Sequence, residues 1–301
     1  MSVPSATRAG FVAIAGRPNV GKSTLTNAIV GAKIAIVSDR PQTTRRAIRG
    51  VATGSDWQLV LVDLPGVQRP RDALTERMAR RVTAELAGAD AALLIVNGEE
   101  GIGPGDRYIA AALSASDAPV TVAVNKMDRL GRERQTQALV DAAAIAPERA
   151  EVFPISARSG AGIAALVEHL AAQLPAGPFL YEPAQRSDMA TDELVAELIR
   201  EQVLRRTFQE LPHAVGVVVE ELAADAADPG LVRVQALVWV ETESQKAIVI
   251  GRGGRMIKAI GSAARRELAR ELGARVHLEL MVRVRRRWRA DDELLDRLGI
   301  E

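Results

Sequence analysis

Residues 11–24 read FVAIAGRPNVGKST, an apolar run that leads directly into the pattern G-x-x-x-x-G-K-S. The apolar residues predict a buried strand, and the residues from Lys22 onward predict a helix. In that context the glycines let the backbone curl so that successive N–H groups face phosphate oxygens, and the helix N-terminus adds positive potential. The stretch therefore predicts a phosphate-binding loop between a strand and a helix.

Each position of this loop receives a predicted role. Lys22 is expected to reach the β- and γ-phosphates of a nucleotide, and Ser23 is expected to ligate Mg²⁺. The predicted phosphate-binding residues are Gly16, Arg17, Pro18, Asn19, Val20, Gly21, Lys22, Ser23 and Thr24, with Gly66 from further along the chain.

The first half of the chain alternates between apolar and helical segments. Apolar runs at 11–16, 57–63, 91–98, 120–126 and 151–156 alternate with helical segments near 22–30, 72–87, 104–115, 132–145 and 162–174. Near-continuous apolar runs are typical of strands buried on both faces of a parallel sheet. We therefore predict a doubly wound α/β domain over residues 1–178, with its chemistry at the carboxyl ends of the strands.

Two segments between these elements are candidate sensors of a γ-phosphate. Asp63, at the end of a strand, is expected to hold Mg²⁺, and Gly66 leaves its N–H free to approach the phosphate. This second switch segment comprises Asp63, Leu64, Pro65, Gly66 and Val67. SDRPQTTRR (38–46) is polar and predicted to be mobile. The first switch segment lies within it and comprises Gln42, Thr43, Thr44, Arg45 and Arg46. Thr44 is the first candidate for a magnesium ligand and Thr43 the second; an ordinary solvated loop is the alternative.

A third loop is predicted to read the base. Asp128 can accept hydrogen bonds from guanine N1–H and the 2-amino group, a donor pair that adenine lacks. Lys126 can cover the base, Asn125 can brace the loop, and a backbone N–H at 156–157 can donate to guanine O6. The predicted guanine-binding residues are Asn125, Lys126, Met127, Asp128, Ser156, Ala157 and Arg158. The nucleotide is therefore predicted to be GTP rather than ATP.

Together these segments resemble the GTPase superfamily over about 165 residues. GRPNVGKST (16–24) and QTTR (42–45) are similar to the branch that contains ribosome-assembly and tRNA-modification GTPases. That branch carries an apolar residue where other GTPases have a water-orienting Gln, and Val67 stands there in this chain. The resemblance implies that Val67 is not catalytic and that Asn19 ligates K⁺. Leu64 departs from the branch, which usually has Thr, at a side chain not expected to touch the nucleotide.

A change of composition separates the second half. LPAGPFLYEPAQRSD (174–188) contains three prolines and little periodicity, so we predict a linker over 179–190. TDELVAELIREQVLRRTF then predicts an amphipathic helix capped by Thr191, and strands are predicted at 214–222, 231–241 and 275–285. Helices at 245–250 and 255–272 flank GRGG. Residues 191–301 therefore predict an α-β-β-α-α-β domain with a C-terminal tail.

Basic residues gather around GRGG. Residues 246–289 contain 13 Lys/Arg and 3 Asp/Glu, which indicates a surface for a polyanion. A G-x-x-G turn between helices lets a single-stranded sugar-phosphate chain approach the backbone. This half resembles a KH RNA-binding domain of the bacterial topology (type II, α+β), which implies RNA contacts from Gly251, Arg252, Gly253, Gly254, Arg255 and Lys258. Ile248, Ile250, Ile257 and Ile260 are either groove walls or core, and Trp288 either stacks on a base or packs internally.

Composition limits the remaining possibilities. The 301 residues carry a net charge of +1, no Cys and three His, which argues against disulfides and thiolate or histidine-rich metal centres. No apolar run reaches the length of a membrane span, and the N-terminus does not resemble a signal peptide. We therefore expect a cytoplasmic protein.

A GTPase domain followed by a KH domain resembles ribosome-assembly GTPases over essentially the whole chain. The resemblance implies slow GTP hydrolysis with Mg²⁺ and K⁺, binding to the single-stranded 3′ end of 16S rRNA, a role in maturing the 30S subunit, a monomeric state and loose association with the cell membrane. Two alternatives stay open: a scaffold that binds GTP but barely hydrolyses it, and a GTPase whose basic face contacts lipid or a protein.

Overall fold

The computed structural model describes residues 7–38, 40, 43–66, 72–207, 211–298 and 300, and its first sheet has six strands. These are β1 (Arg8–Ala15), β2 (Ile48–Thr53), β3 (Trp57–Asp63), β4 (Ala91–Asn97), β5 (Val120–Asn125) and β6 (Val152–Pro154). They lie in the order β2-β3-β1-β4-β5-β6, and β2 is antiparallel to β3 whereas the other four pairings are parallel. The carboxyl ends of β1, β3, β4 and β5 therefore lie along one edge.

Five helices connect these strands: α1 (Lys22–Val30), α2 (Ala73–Ala87), α3 (Pro104–Ser114), α4 (Arg132–Ala143) and α5 (Ile163–Gln173). Every residue of β4 and β5 is buried, which requires cover on both faces of the sheet. The predicted doubly wound α/β fold is confirmed.

Strand β2 was not predicted from the sequence. Its sequence IRGVAT has a glycine at its centre and no strong alternation, so it gave no strand signal. Packing at Gly50 is tight, because a Cβ there would lie 2.3 Å from Ile34 Cδ1 and 2.8 Å from Val30 Cγ2, so both side chains would have to shift. The strand forms because it pairs with the edge of β3. That partner lies outside the sequence of β2, so local residues do not predict the strand.

Residues 175–188 pack along this sheet. Val51 donates its N–H to the carbonyl of Arg186 at 2.8 Å, and Ser187 donates its hydroxyl to the carbonyl of Arg49 at 2.7 Å. Gln58 is buried, and its side-chain oxygen accepts from the N–H groups of Leu180 and Tyr181 at 2.8 and 2.9 Å. A proline-rich segment without periodicity is thus held to the sheet by hydrogen bonds from its backbone and from Ser187.

The second sheet has three strands, β7 (Gly216–Ala224), β8 (Leu231–Val240) and β9 (Arg275–Val284), with β8 in the centre. β7 is antiparallel to β8, and β9 is parallel to it. The helices are α6 (Thr191–Arg206), α7 (Leu211–Ala214), α8 (Glu243–Ile250), α9 (Arg255–Glu271) and α10 (Asp292–Arg297). The predicted α-β-β-α-α-β order is confirmed, with the short helices α7 and α10 as additions.

One local expectation is wrong in this part of the chain, and the structure decides two alternatives that the sequence left open. Ala190 rather than Thr191 occupies the N-cap of α6, and no side chain caps that helix. Trp288 is fully buried and donates its ring N–H to the carbonyl of Ala214 at 2.9 Å, so it is a core residue rather than a stacking platform. Ile260 is also core.

Helix α6 is not simply amphipathic, because residues 198–204 are all buried, including three polar side chains. Arg200 pairs with Glu197 at 2.6 Å and donates to the carbonyl of Thr43. Glu201 accepts the N–H of Val37 at 2.9 Å. Buried polar groups need such partners, and here segment 36–43 supplies some of them.

The described residues divide into two compact units. One comprises Met1–Ala35, Thr44–Arg69 and Met78–Asp188, and the other comprises Ile36–Thr43, Pro70–Arg77 and Met189–Glu301. The domain boundaries at residues 178 and 190 stay predictions. Within the described part of the chain, no helix combines the length and apolar character needed to span a bilayer.

Candidate functional site

The phosphate loop lies between β1 and α1. Lys22 is buried, and its Nζ donates to the carbonyls of Gly16 and Arg17, each at 3.0 Å. Burial lowers the pKa of Lys22 from 10.5 to about 8, and the nearby charge of Asp63 opposes this shift. A buried ammonium group held by its own loop has the reach and charge to exchange these carbonyls for phosphate oxygens.

Ser23, Thr44 and Asp63 meet beside this lysine. Ser23 donates its hydroxyl to Asp63 Oδ2 at 2.6 Å, and its Oγ lies 3.0 Å from Thr44 Oγ1. The second carboxylate oxygen, Asp63 Oδ1, is buried with no hydrogen-bond partner in the described structure. Burial raises the pKa of Asp63 from 3.8 to about 6, although Lys22 and hydrogen bonds from Ser23 and Thr44 oppose the rise.

This cluster has the chemistry of a magnesium site. Mg²⁺ is commonly held by one or two carboxylates with hydroxyl, water and phosphate oxygens rather than by a cage of protein ligands. One carboxylate with an orphaned buried oxygen and two hydroxyl groups fit that description. Among the described residues there is no cluster of three or more His, Cys, Asp or Glu that suggests a different centre.

The two threonine candidates of the first switch segment lie in different surroundings. Thr44 contacts Ser23, whereas the Thr43 hydroxyl donates to the carbonyl of Arg40 at 2.5 Å. Of the two, Thr44 is therefore the one beside the predicted metal ligands. Arg45 is buried and Arg46 half-buried, while Gln42 lies outside the described residues.

In the second switch segment, Leu64 and Pro65 are buried directly after β3. Gly66 lies against the phosphate loop, because a Cβ at this position would be 2.9 Å from Pro18 Cγ and 3.1 Å from Pro18 N. Any larger residue would push the segment away from the nucleotide site. Val67, with its implied non-catalytic role, lies outside the described residues.

Asn125 joins the base-reading loop to the phosphate loop. Its side-chain amide donates to the carbonyl of Val20 at 2.8 Å, and its side-chain oxygen accepts the N–H of Ala157 at 2.9 Å. Of the two N–H groups predicted as donors to guanine O6, that of Ala157 is bonded to Asn125 and that of Ser156 to the carbonyl of Ala161 at 2.9 Å. Gly21 has φ +104° and leaves the space that Asn125 occupies, since its Cβ would lie 2.3 Å from Asn125 Nδ2.

The remaining base-loop residues surround this bridge. Lys126 adopts a left-handed backbone with φ 65°, Met127 is buried, and Asp128 is exposed, as a base-reading carboxylate needs to be before its ligand arrives. Ser156 is buried and Arg158 exposed. Gln135 braces the loop by donating to the carbonyls of Met127 and Leu130 at 3.0 and 3.1 Å. No sequence pattern identified Gln135, because its role depends on how α4 packs.

The GRGG turn joins α8 and α9 through left-handed backbone. Gly253 and Gly254 have φ 58° and 76°, and Gly251 has φ 71° with no room for a Cβ, which would lie 2.6 Å from Met256 Cβ. Arg252, Arg255 and Lys258 are exposed around the turn. The predicted RNA-contacting residues thus form one exposed basic segment.

A cavity of about 400 Å³ continues from this segment between α9 and β9. Its lining combines an apolar floor with polar and basic groups: Ile257, Lys258, Gly261, Ser262, Arg265, His277, Leu278 and Leu280. Of the four candidate groove isoleucines, Ile257 lines the cavity, Ile248 is 53% exposed, and Ile250 is half-buried. Arg265 and His277 were missed, because only the pairing of α9 with β9 brings them together.

Two family models match the chain. One, described as a 50S ribosome-binding GTPase, matches residues 11–126, and the other, described as a KH domain, matches residues 210–289. The two matches cover the phosphate loop and the GRGG turn, respectively.

Curated relatives and solved structures match nearly the whole chain. The GTPase Era of Mycobacterium tuberculosis (strain H37Rv) is 43% identical over 293 residues, covering 96% of this chain and 98% of that protein. A variant of Aquifex aeolicus Era bound to GDP·AlF4⁻ matches with a TM-score of 0.94 and 34% identity, covering 98% of this chain and 99% of that one. A structure of Era with MgGDPNP and nucleotides 1506–1542 of 16S ribosomal RNA matches with a TM-score of 0.92 and 33% identity, at the same coverage.

Proposed function

The chain belongs to the Era family of GTPases, and we propose that its GTP hydrolysis controls the binding and release of the 3′ region of 16S ribosomal RNA during maturation of the 30S subunit. The observation that carries the nucleotide half of this proposal is the Asn125 bridge, which joins a phosphate loop and a base-reading loop at one site. The exposed GRGG turn beside a basic cavity supports the RNA half.

In the proposed binding mode, the backbone of residues 16–23 cradles the phosphates and Asp128 accepts two hydrogen bonds from guanine. Lys22 exchanges its carbonyl partners for β- and γ-phosphate oxygens. Ser23, Thr44 and Asp63 would hold Mg²⁺, whose charge neutralises the phosphate oxygens when it is bound. Asn125 keeps the two loops in register in this mode.

Hydrolysis consists of attack by water on the γ-phosphorus with cleavage of its bond to the β–γ bridging oxygen, which gives GDP and inorganic phosphate. Lys22 and the loop N–H groups stabilise the negative charge that grows on the bridging and γ-oxygens. The protein contributes position and charge rather than a side-chain base, as the apolar Val67 of the second switch segment implies. We also propose that K⁺ stimulates this step through Asn19.

The proposed switch uses the two segments beside the γ-phosphate. Thr44 and Gly66 close on the nucleotide when the γ-phosphate is present and relax after hydrolysis. The contact of Thr44 with Ser23 and the close packing of Gly66 on Pro18 support these positions.

For RNA, we propose that the sugar-phosphate chain follows the GRGG turn and that bases enter the cavity between α9 and β9. Glycines at 251, 253 and 254 let the RNA backbone approach closely, and Arg252, Arg255 and Lys258 neutralise phosphates. The structure of a relative with nucleotides 1506–1542 of 16S ribosomal RNA bound supports this choice of RNA.

Single-turnover hydrolysis of GTP, measured in KCl with and without an RNA matching the 16S 3′ end, tests the proposal. Hydrolysis without added protein partners supports a GTPase, and its absence would favour a GTP-binding scaffold. Gly253→Asp should abolish RNA binding while leaving basal hydrolysis unchanged, because Gly253 is exposed and distant in sequence from the nucleotide loops. Intact RNA binding by that variant would contradict the RNA half.

We further propose that the protein works as a monomer in the cytoplasm and associates only peripherally with the membrane. The support is its family membership. Sedimentation velocity tests the monomer, and flotation with anionic vesicles, using the same Gly253→Asp variant, separates lipid binding from RNA binding.

A further inference from the structure

Arg17 belongs to the phosphate loop, but its side chain points to residues 97–106, which we call the brace loop. Its Nε lies 2.7 Å from Asp106 Oδ2, one terminal nitrogen donates to the carbonyl of Gly101 at 3.2 Å, and the other lies 3.7 Å from Glu100 Oε2. The backbone carbonyl of the same arginine accepts from Lys22 at 3.0 Å. One residue thus belongs to the phosphate cradle through its backbone and to the brace loop through its side chain.

Asp106 is fully buried. Its Oδ2 also accepts the N–H of Gly103 at 2.8 Å and so caps α3, whereas its Oδ1 has no hydrogen-bond partner in the described structure. A buried carboxylate is costly unless a cation compensates it. The guanidinium of Arg17 is the cation in contact with it, so each group restrains the other.

The brace loop is shaped around the arginine stem. A Cβ on Gly105 would lie 2.8 Å from Arg17 Cδ and 3.1 Å from its Cγ. A Cβ on Gly103 would lie 3.5 Å from a terminal nitrogen of Arg17, which is an ordinary contact, so only Gly105 is crowded by the arginine. The glycine at 105 leaves space for the arginine stem on its course from the phosphate loop to Asp106.

The other end of the brace loop reaches the base-reading loop. Glu99 pairs with Arg129, the residue after Asp128, at 2.9 Å, and its N–H donates to Asn97 Oδ1 at 3.0 Å. Both charged side chains of this pair are more than 40% exposed, and exposed pairs contribute little. Asp106 is fully buried and the Arg17 side chain is 26% exposed, so their pair is the better shielded of the two and the one expected to restrain the loop; Glu99→Gln is the matched control.

We propose that Asp106 is a positioning residue for nucleotide binding, which holds Arg17 so that the phosphate cradle is preorganised before the nucleotide arrives. The inference rests on the proposed assignment of residues 16–24 as the phosphate-binding loop. Preorganisation lowers the ordering cost of binding. GTP and GDP share the phosphates that this loop encloses, so both lose affinity when the restraint is removed. Neither Asp106 nor the Arg17 side chain contacts the reacting atoms, so kcat at saturating GTP is unchanged.

The test compares full-length Asp106→Asn, Arg17→Ala, their double variant and Glu99→Gln. Asp106→Asn keeps an oxygen for the N–H of Gly103 and removes only the charge. We expect each of the two single variants to weaken binding of a fluorescent GDP by about tenfold, equivalent to about 1.4 kcal/mol. The double variant should bind no more weakly than the weaker single, because both changes break one contact. KM for GTP should rise while kcat stays within about twofold, and Glu99→Gln should match wild type.

Arg17→Lys provides a rescue arm, since it restores the charge beside Asp106 and should recover part of the affinity lost in Arg17→Ala. It also keeps the test decisive if Asp106→Asn fails to fold. The inference is overturned if Arg17→Ala binds GDP like wild type, if the losses of the two singles multiply in the double variant, or if kcat falls with KM unchanged. If the wild-type protein itself did not bind GDP, the proposed GTPase function would be contradicted, and not only the role of Asp106.

Discussion

Asn125 donates its side-chain amide to the carbonyl of Val20 at 2.8 Å and thereby connects two loops that are more than 100 residues apart in the chain. The same side chain accepts from Ala157, so one buried amide joins the phosphate loop, the end of β5 and the loop that follows β6. Removal of this residue should therefore disturb the whole nucleotide site even though no reacting atom touches it.

Asn125→Ala leaves the buried carbonyl of Val20 and the N–H of Ala157 without their partner. We expect the nucleotide-free protein to lose about 1–3 kcal/mol in free energy of unfolding, the usual cost of stranding buried polar groups. GTP and GDP should both bind at least about tenfold more weakly. Urea denaturation measures the free energy of unfolding, and nucleotide titration measures the affinity. An unchanged free energy of unfolding would show that the bridge does not stabilise the protein.

Asp128→Asn should change the choice of base without a cost in stability, because the carboxylate is exposed. An amide cannot accept from both guanine N1–H and the 2-amino group, but its NH2 can donate to the 2-oxo group of xanthine. We expect GTP binding to weaken by about 1.5–3 kcal/mol, the worth of hydrogen bonds to a charged group, and XTP binding to improve. Competition between GTP and XTP measures this, and retention of GTP preference would contradict the assignment of Asp128.

In EDTA without nucleotide, the stability of Asp63→Asn relative to wild type should increase as pH rises. The folded-state pKa of Asp63 is raised from 3.8 to about 6, so its favourable contribution is present below pH 4 and is lost as pH rises through 6. The rise corresponds to about 3 kcal/mol. Unfolding curves of both proteins between pH 4 and 7.5 should diverge by up to that amount. With Mg²⁺ and GTP present, the same variant should hydrolyse more slowly.

Asn19→Gly tests the potassium proposal without straining the loop. Asn19 has φ 65°, a conformation that glycine adopts freely, so the variant removes the side-chain oxygen and keeps the backbone. We expect hydrolysis in KCl to fall to the rate in NaCl, while GDP affinity in NaCl stays the same. Persisting stimulation by K⁺ in the variant would exclude Asn19 as the ligand.

Arg265→Ala should lower the affinity for RNA and make that affinity less dependent on salt concentration. Arg265 lines the cavity between α9 and β9, and each phosphate contact on single-stranded RNA contributes about 0.7 to the slope of log K against log salt concentration. The slope should fall by that amount. The neighbouring Arg266 is exposed but does not line the cavity, so Arg266→Ala is the matched control, and equal effects of the two would refute the placement of RNA in the cavity.

Local patterns predicted much of this molecule. The strand β3 was predicted at its observed residues, and the helices α1 and α9 within one residue. Their apolar residues recur with the period of a strand or a helix, which is a local signal. The edge strand β2 and the packed segment 175–188 were not predicted, because their hydrogen-bond partners lie elsewhere in the chain. Trp288 also could not be placed from local sequence. Its neighbours in the sequence are arginines, yet it is fully buried and donates its ring N–H to the carbonyl of Ala214.

The sequence by itself determined the motifs that the chain carries: a phosphate-loop pattern, a tetrapeptide predicted to bind guanine and a G-x-x-G turn each lie in consecutive residues, because each depends on local backbone geometry. Only the tertiary structure decided which residues support that chemistry. Asn125 on Val20, Gln135 on its loop and Asp106 on Arg17 are contacts between distant segments. No local pattern predicts them, because the role of a buried polar side chain depends on a partner that is distant in the sequence and close only in the folded protein.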